Sequence, residues 1–141
     1  MGKYDCLKIE NQLCFPLYAC AREVVGKYRP YLDGLGLTYT QYVAMLVIWE
    51  YGRVNMKLLG EKLMLDSGTL TPVLKTLESK GYVSRTRSKD DERNLEISAT
   101  EKGLRLRDAA LELPPKLACG INLSPAEAEM LYSLLYKLLE K

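Results

Sequence analysis

The residues best suited to chemistry in this 141-residue chain are four cysteines, Cys6, Cys14, Cys20 and Cys119, in a sequence that contains no histidine. They show none of the paired C-x-x-C spacings of a structural zinc site, so no metal centre and no cofactor is expected. Thiol chemistry remains. Cys14 lies in Leu13-Cys14-Phe15-Pro16-Leu17-Tyr18, where an apolar segment turns into a helix. Unpaired amide N–H groups and the positive end of the dipole at a helix start favour thiolate, the reactive form of sulfur. Tyrosine hydroxyls within reach would add hydrogen bonds to that anion. Cys6 and Cys20 read as small core hydrophobes, the commoner role of a free cysteine. Cys119 follows Pro114-Pro115 and precedes Gly120, which places it in a bend or at a helix boundary where a side chain can move or become exposed.

Several helices must position these residues. A first helix is expected from Gln12 or Phe15 to Leu32, with Leu17, Ala21, Val24, Val25 and Tyr28 on one side and Asp33-Gly34-Leu35-Gly36 as its break. Thr38-Tyr39-Thr40-Gln41 has the form of a capping box and opens a second helix through Val43, Leu46, Val47 and Trp49. Glu101 to Glu112 is helical in pattern, and Pro114-Pro115 interrupts it. Ser124-Pro125-Ala126-Glu127 combines an N-cap, a first-turn proline and the return partner of another capping box. The helix that follows carries Leu131, Leu134, Leu135, Leu138 and Leu139, more apolar surface than so small a body can easily cover. A second copy of the chain is the simplest cover, with packing inside one chain as the alternative.

Between these arms the pattern changes. Leu58, Leu59, Leu63 and Leu65 form a short helix within Val54 to Leu65, and a turn follows around Leu65 to Ser67. In the next helix Leu70, Val73, Leu74 and Leu77 recur at i, i+3, i+4 and i+7, one apolar stripe for the core. Gly68, Thr71, Pro72, Lys75, Thr76 and Ser79 fall on the opposite face, which is small, hydroxylated and lightly basic. Asp66 or Ser67 can cap the start and Gly81 suits the stop, while Pro72 predicts a kink or a distorted first turn. Two alternating segments, Tyr82 to Arg87 and Leu95 to Thr100, then flank the polar stretch Ser88 to Asn94, as in a two-stranded wing. Helix, turn, helix and wing is a layout that grips duplex DNA. An amphipathic surface helix followed by a solvated charged turn is the alternative. The candidate DNA contacts are Ser67, Thr69, Thr71, Pro72 and Lys75 on the second helix and Arg85, Arg87, Asp91 and Arg93 on the wing, where an arginine at the tip can enter a narrow minor groove.

Composition narrows the class. A hydrophobic content of 48% with 27% charged residues suits one soluble globular domain. The net charge of +2 is too small to argue for DNA binding by itself, so the case rests on the local placement of Lys57, Lys62, Lys75, Arg85, Arg87, Lys89 and Arg93. The chain holds no apolar run of about 18 residues and no secretory signal after Met1-Gly2-Lys3-Tyr4-Asp5, so a cytoplasmic location without membrane contact is expected, where the cysteines start as thiols.

The segment from Leu58 to Gly103 resembles the winged-helix core of the MarR family of bacterial regulators, through Asp91-Glu92-Arg93 and Thr100-Glu101-Lys102-Gly103. Within that family Leu13 to Arg22, Leu37 to Glu50 and Leu65 to Pro72 look like the organic-hydroperoxide-sensing branch; Ala99 departs from the family's pattern, and Thr40 and Pro16 from the branch's. The resemblance implies a mainly α fold with a small β-hairpin wing, in one domain spanning residues 1–141. Residues 37–100 would be the DNA-binding lobe, and 1–36 with 101–141 the dimerisation helices. It implies a homodimeric repressor on a pseudo-palindromic operator, and no enzyme. Cys14 would be the redox-sensing thiol, with Tyr28 and Tyr39 as the tyrosines that cradle it. An organic hydroperoxide would convert Cys14 to sulfenic acid, which then condenses with a thiol. Cys119 corresponds by position to the resolving cysteine of two-cysteine members, and a low-molecular-weight thiol is the other resolving partner. Two further readings stay open: a non-redox regulator of the same family, with an aromatic anion among Tyr18, Tyr28, Tyr39 and Tyr42, and a thiol peroxidase, although no thioredoxin-like βαβ alternation is present.

Overall fold

The computed structural model describes residues 1–87 and 95–140. Two short 3-10 turns, Asp5–Leu7 and Ile9–Asn11, lead into α1 (Cys14–Leu35). There follow α2 (Tyr39–Tyr51), β1 (Arg53–Val54), α3 (Met56–Leu63), α4 (Ser67–Ser79), β2 (Val83–Arg87), β3 (Leu95–Ala99), α5 (Glu101–Ala110), α6 (Leu113–Ala118) and α7 (Pro125–Leu139). The fold is mainly helical with a small antiparallel sheet, as the resemblance implies.

Helix α1 runs three residues past Leu32, through Asp33, Gly34 and Leu35. Its stop is Gly36, whose φ of 70° is left-handed and whose N–H donates to the carbonyls of Asp33 and Leu32. A glycine inside a helical run costs about 1 kcal/mol against alanine, too little to end it where the left-handed cap is formed two residues later. Both sequence-read capping boxes are present. Thr38 Oγ1 accepts from the Gln41 N–H while Gln41 Oε1 accepts from the Thr38 N–H, and Ser124 and Glu127 do the same at the start of α7. Pro114 and Pro115 do more than interrupt a helix: they occupy the first turn of α6, where a missing N–H costs nothing.

The sheet has three strands in the order β1-β3-β2. The expected wing supplies β2 and β3, with Arg85 opposite Ile97 and Arg87 opposite Leu95. The additional strand is β1, in which Arg53 and Val54 pair with Ser98 and Ile97. The core lies under α2, α3, α4 and the sheet, and its fully enclosed side chains include Met45, Ile48, Leu59, Leu70, Leu74, Leu77 and Ile97. The predicted stripe of α4 is therefore the buried one, with Val73 half-buried at its edge. Helix α2 is apolar almost all round and buries Tyr42, Ala44, Met45, Val47 and Ile48, whereas Leu46 remains exposed.

The outer helices are uncovered. Of the side chains of α1 only Leu32 is buried, and α7 buries none, leaving Leu131, Leu134, Leu135, Leu138 and Leu139 exposed. Packing of α7 within one chain is thus excluded as its cover. For the same reason Cys6 and Cys20, read as core hydrophobes, are exposed: neither the 3-10 turns nor the first half of α1 packs into this chain's core.

Candidate nucleic-acid interface and thiol site

Helix α4 is held at both ends. Asp66 is the N-cap and accepts from the Thr69 N–H at 2.7 Å, a bond that keeps its carboxyl below the usual range. The preceding turn is tight: Met64 adopts a left-handed φ of 56°, and a side chain on Gly60 would meet the Leu65 carbonyl at 2.9 Å. The helix continues unbroken through Pro72. The hydroxyls of Thr71 and Thr76 donate back to the carbonyls of Ser67 and Pro72 at 2.7 and 3.0 Å. Their hydrogens are thereby committed, and toward a duplex these two oxygens serve as acceptors. Ser67, Thr69, Pro72 and Lys75 are exposed, so the predicted face is available to a groove.

On the wing, Arg87 is exposed at the end of β2. Arg85 is occupied: its Nε and Nη2 donate to the two carboxylate oxygens of Glu78 at 3.1 and 2.9 Å. It joins β2 to the last turn of α4 instead of standing free for phosphate. Asp91 and Arg93, with Lys89, lie outside the described residues.

The run Thr100-Glu101-Lys102-Gly103 is explained by the junction it makes. Thr100 caps α5 by accepting from the Gly103 N–H, and its own hydroxyl donates to the Gly81 carbonyl. Gly103 is the tightest of the chain's glycine positions, since a Cβ there would lie 2.1 Å from the Tyr82 carbonyl oxygen. The Gly103 carbonyl accepts from the Trp49 indole at 3.0 Å. Lys102 donates to the Lys80 carbonyl at 2.8 Å, and Lys80 in turn donates to the Gly36 carbonyl and to Gln41 Oε1. Tyr82 donates to the Leu35 carbonyl at 3.3 Å. The C-terminal end of α4 is thus tied both to α5 and to the last turn of α1. Lys80 and Tyr82 carry no sequence signal for this role, because nothing local announces bonds to residues about forty or more positions away.

Cys14 is the first residue of α1 and is exposed, beside exposed Leu13, Phe15, Leu17 and Tyr18. Tyr28 lies on the same helix, about 21 Å further along at a rise of about 1.5 Å per residue. There it meets Tyr39 edge to face with ring centres 5.4 Å apart, and Tyr42 lies 5.8 Å from Tyr28. Burial, with the nearby Tyr28 adding to it, pushes the phenols of Tyr39 and Tyr42 upward, so both remain O–H donors at neutral pH. Cys119, at the end of α6, belongs to that same level: Lys27 of α1 donates to the adjacent Gly120 carbonyl at 3.0 Å. One chain therefore keeps Cys14 apart from Tyr28, Tyr39 and Cys119. The Cα atoms of Cys14 and Cys119 cannot come within the roughly 7 Å limit of a disulfide in one chain while α1 is intact.

The family model for the SarA/Rot transcriptional regulators matches residues 26–109. The organic hydroperoxide resistance transcriptional regulator of Bacillus subtilis is 47% identical over 139 residues, 99% of this chain and 95% of that protein. The chain belongs to the MarR family of transcriptional regulators. Its resemblance is to the branch that contains the hydroperoxide resistance regulators, and its relatives are regulators, not enzymes. Among solved structures, reduced AbfR bound to DNA superposes with a TM-score of 0.81 at 33% identity, covering 98% of this chain and 96% of that one. Disulfide-formed AbfR, at 35% identity and 98% and 97% coverage, gives 0.69. AbfR is a protein of Staphylococcus epidermidis. The fold superposes better on the DNA-bound forms of that relative, reduced at 0.81 or overoxidised at 0.80, than on its disulfide form at 0.69. Among the described residues no helix is long and apolar enough to cross a membrane.

Proposed function

We propose that this regulator is a homodimeric repressor of the bacterial cytoplasm that senses organic hydroperoxides through Cys14 and then releases its operator. The observation that carries the reading is the separation along α1. An exposed thiol stands at the N-terminal end of the helix, while a cluster of phenol donors and a second thiol stand at its other end, so each set is completed only by a second copy running the opposite way. The bare faces of α1 and α7 supply the apolar surface for that copy. In the dimer, Tyr28 and Tyr39 of one chain support the Cys14 thiolate of the other.

The chemistry balances with a hydroperoxide as oxidant. Cys14 sulfur attacks the distal oxygen, the O–O bond breaks, and the alkoxide takes a proton and leaves as an alcohol. The sulfenic acid is then attacked by a second thiolate, with loss of water. Cys119 of the partner subunit is the candidate, and a low-molecular-weight thiol is the alternative. The apolar side chains around Cys14 favour alkyl or lipid hydroperoxides over hydrogen peroxide.

Two-fold symmetry places a pair of α4 helices in successive major grooves about 34–36 Å apart, so the operator is a pseudo-palindrome. Residues 37–100 form the reading lobe, and 1–36 with 101–141 the dimer arms. Ser67, Thr69, Thr71 and Pro72 face the base edges, Lys75 and Arg87 face phosphate, and Asp91 and Arg93 are further candidate contacts. The test uses a duplex that the reduced dimer selects from a random pool. Cumene hydroperoxide should release the wild type from it, while Cys14→Ser should bind equally well and stay bound. A Cys14→Ser chain still released by peroxide would refute the assignment of the sensor.

One feature favours a second reading. A pocket of about 160 Å³ has apolar walls in Val25, Leu32, Leu37 and Tyr39 and, in Arg29, the cation a small aromatic anion requires, with the carboxylate of Asp33 opposing it; of Tyr18, Tyr28, Tyr39 and Tyr42 only Tyr39 lines it. A non-redox regulator of this kind would be released by such an anion with Cys14 replaced by serine.

A further inference from the structure

The recognition helix carries a carboxylate on its last turn, which is unfavourable beside a polyanion unless something offsets it. Glu78 is exposed enough to meet solvent, with 41% of its side chain accessible, and Arg85 on β2 grips it through both guanidinium edges. Arg85 shares a strand face with Val83, which is buried, and with Arg87, which is exposed. Along that face the sequence Val83, Arg85, Arg87 goes from the core, to the side of α4, to open solvent. A single exposed ion pair contributes little, but a two-pronged guanidinium–carboxylate pair fixes direction as well as distance. Glu78 and Arg85 join the two elements that must enter neighbouring grooves at once.

The geometry points to the Glu78–Arg85 fork as the strut that sets the angle between recognition helix and wing, and hence as a specificity-determining pair that need not itself touch the duplex. This rests on the DNA-binding part of the reading above and is independent of the thiol chemistry. Its consequence departs from simple electrostatics on the preferred site alone. Removing a negative charge from a DNA-facing lobe ordinarily tightens binding to any duplex. With the strut gone, Arg85 is released to reach phosphate, so affinity for random sequence rises while the joint fit of helix and wing to a preferred site is lost.

The experiment measures reduced protein on the duplex selected from a random pool and on a random-sequence duplex of equal length, across a series of salt concentrations. In Glu78→Gln the ratio of selected to random affinity should fall by about fivefold, the scale of a well-formed surface pair. The salt slope on random duplex should steepen by about one, the signature of one added phosphate contact. Arg85→Lys, which keeps the charge and loses the fork, should lower the ratio as well. Urea midpoints of both variants confirm that the fold is retained. A wild-type ratio in Glu78→Gln, or in Arg85→Lys, overturns the strut. A wild type that shows no preference for the selected duplex would overturn both the strut and the DNA-binding reading beneath it.

Discussion

Replacing Gly103 with alanine should destabilise the fold more than any other single methyl addition to a helical glycine. The new Cβ would stand 2.1 Å from the Tyr82 carbonyl oxygen and 3.1 Å from its carbon, against backbone rather than a flexible side chain. That carbonyl cannot retreat freely, because it accepts from the Thr100 N–H at 3.0 Å, and α5 cannot back away without stretching the Trp49 indole bond to Gly103 at 3.0 Å. Overpacking of this kind costs about 1–3 kcal/mol, and weakening two hydrogen bonds adds about 0.5–1.5 kcal/mol each. Alanine's better helix propensity returns about 1 kcal/mol. The net loss is about 3 kcal/mol, a large share of the roughly 5–15 kcal/mol that stabilises a domain. At about 3 °C per kcal/mol for a chain of this size, the melting temperature should fall by about 10 °C at fixed protein concentration. Gly34→Ala is the control, since no atom lies within 4 Å of its Cβ position, and it should be neutral or slightly stabilising. Equal melting temperatures for Gly103→Ala and wild type would refute the close approach of α5 to the Tyr82 backbone.

Three further outcomes are expected. Lys75→Ala and Arg87→Ala should each weaken binding to selected and random duplex alike and flatten the salt slope by about one unit, as measured by titration across salt; loss confined to one base pair would reassign that residue from phosphate to base reading. Leu131→Glu or Leu135→Glu on the bare face of α7 should shift the protein from dimer to monomer in sedimentation, and a dimer of unchanged affinity would place the interface elsewhere. Cys119→Ser should remove any covalent dimer on a non-reducing gel after peroxide while leaving Cys14 oxidisable, and a covalent dimer that persists would make another cysteine the resolving thiol.

Much of this fold is legible in sequence where a local signal coincides with the final structure. Thr38 with Gln41, Ser124 with Glu127, and the stripe Leu70, Val73, Leu74, Leu77 all read through because caps and helical periodicity act within a few residues. Strand β1 is invisible for the opposite reason: Arg53 and Val54 have no alternation of their own and are defined only by pairing with Ser98 and Ile97. The end of α1 differs from its sequence signal because Asp33 and Gly34 look like a stop, whereas the left-handed cap is supplied by Gly36. Among site residues, the exposed face of α4 was readable from its period, but the partner of Arg85 was not, since a count of wing cations says nothing about a carboxylate seven residues earlier on another element. The exposure of Cys6 and Cys20 was missed because cysteine's usual burial presumes a core, and these segments have none within one chain.

The central claim is that two copies bring the Cys14 of one to the tyrosines and Cys119 of the other, so that oxidation there releases DNA. Intact mass of the dimer on a selected duplex, before and after a stoichiometric amount of cumene hydroperoxide, tests it most directly, with duplex occupancy read in the same samples. The account predicts loss of the duplex together with a product that contains Cys14, either joined to Cys119 of the other chain or carrying a small thiol. Release of the duplex with Cys14 still a free thiol, or full oxidation of Cys14 with the duplex still bound, would contradict it.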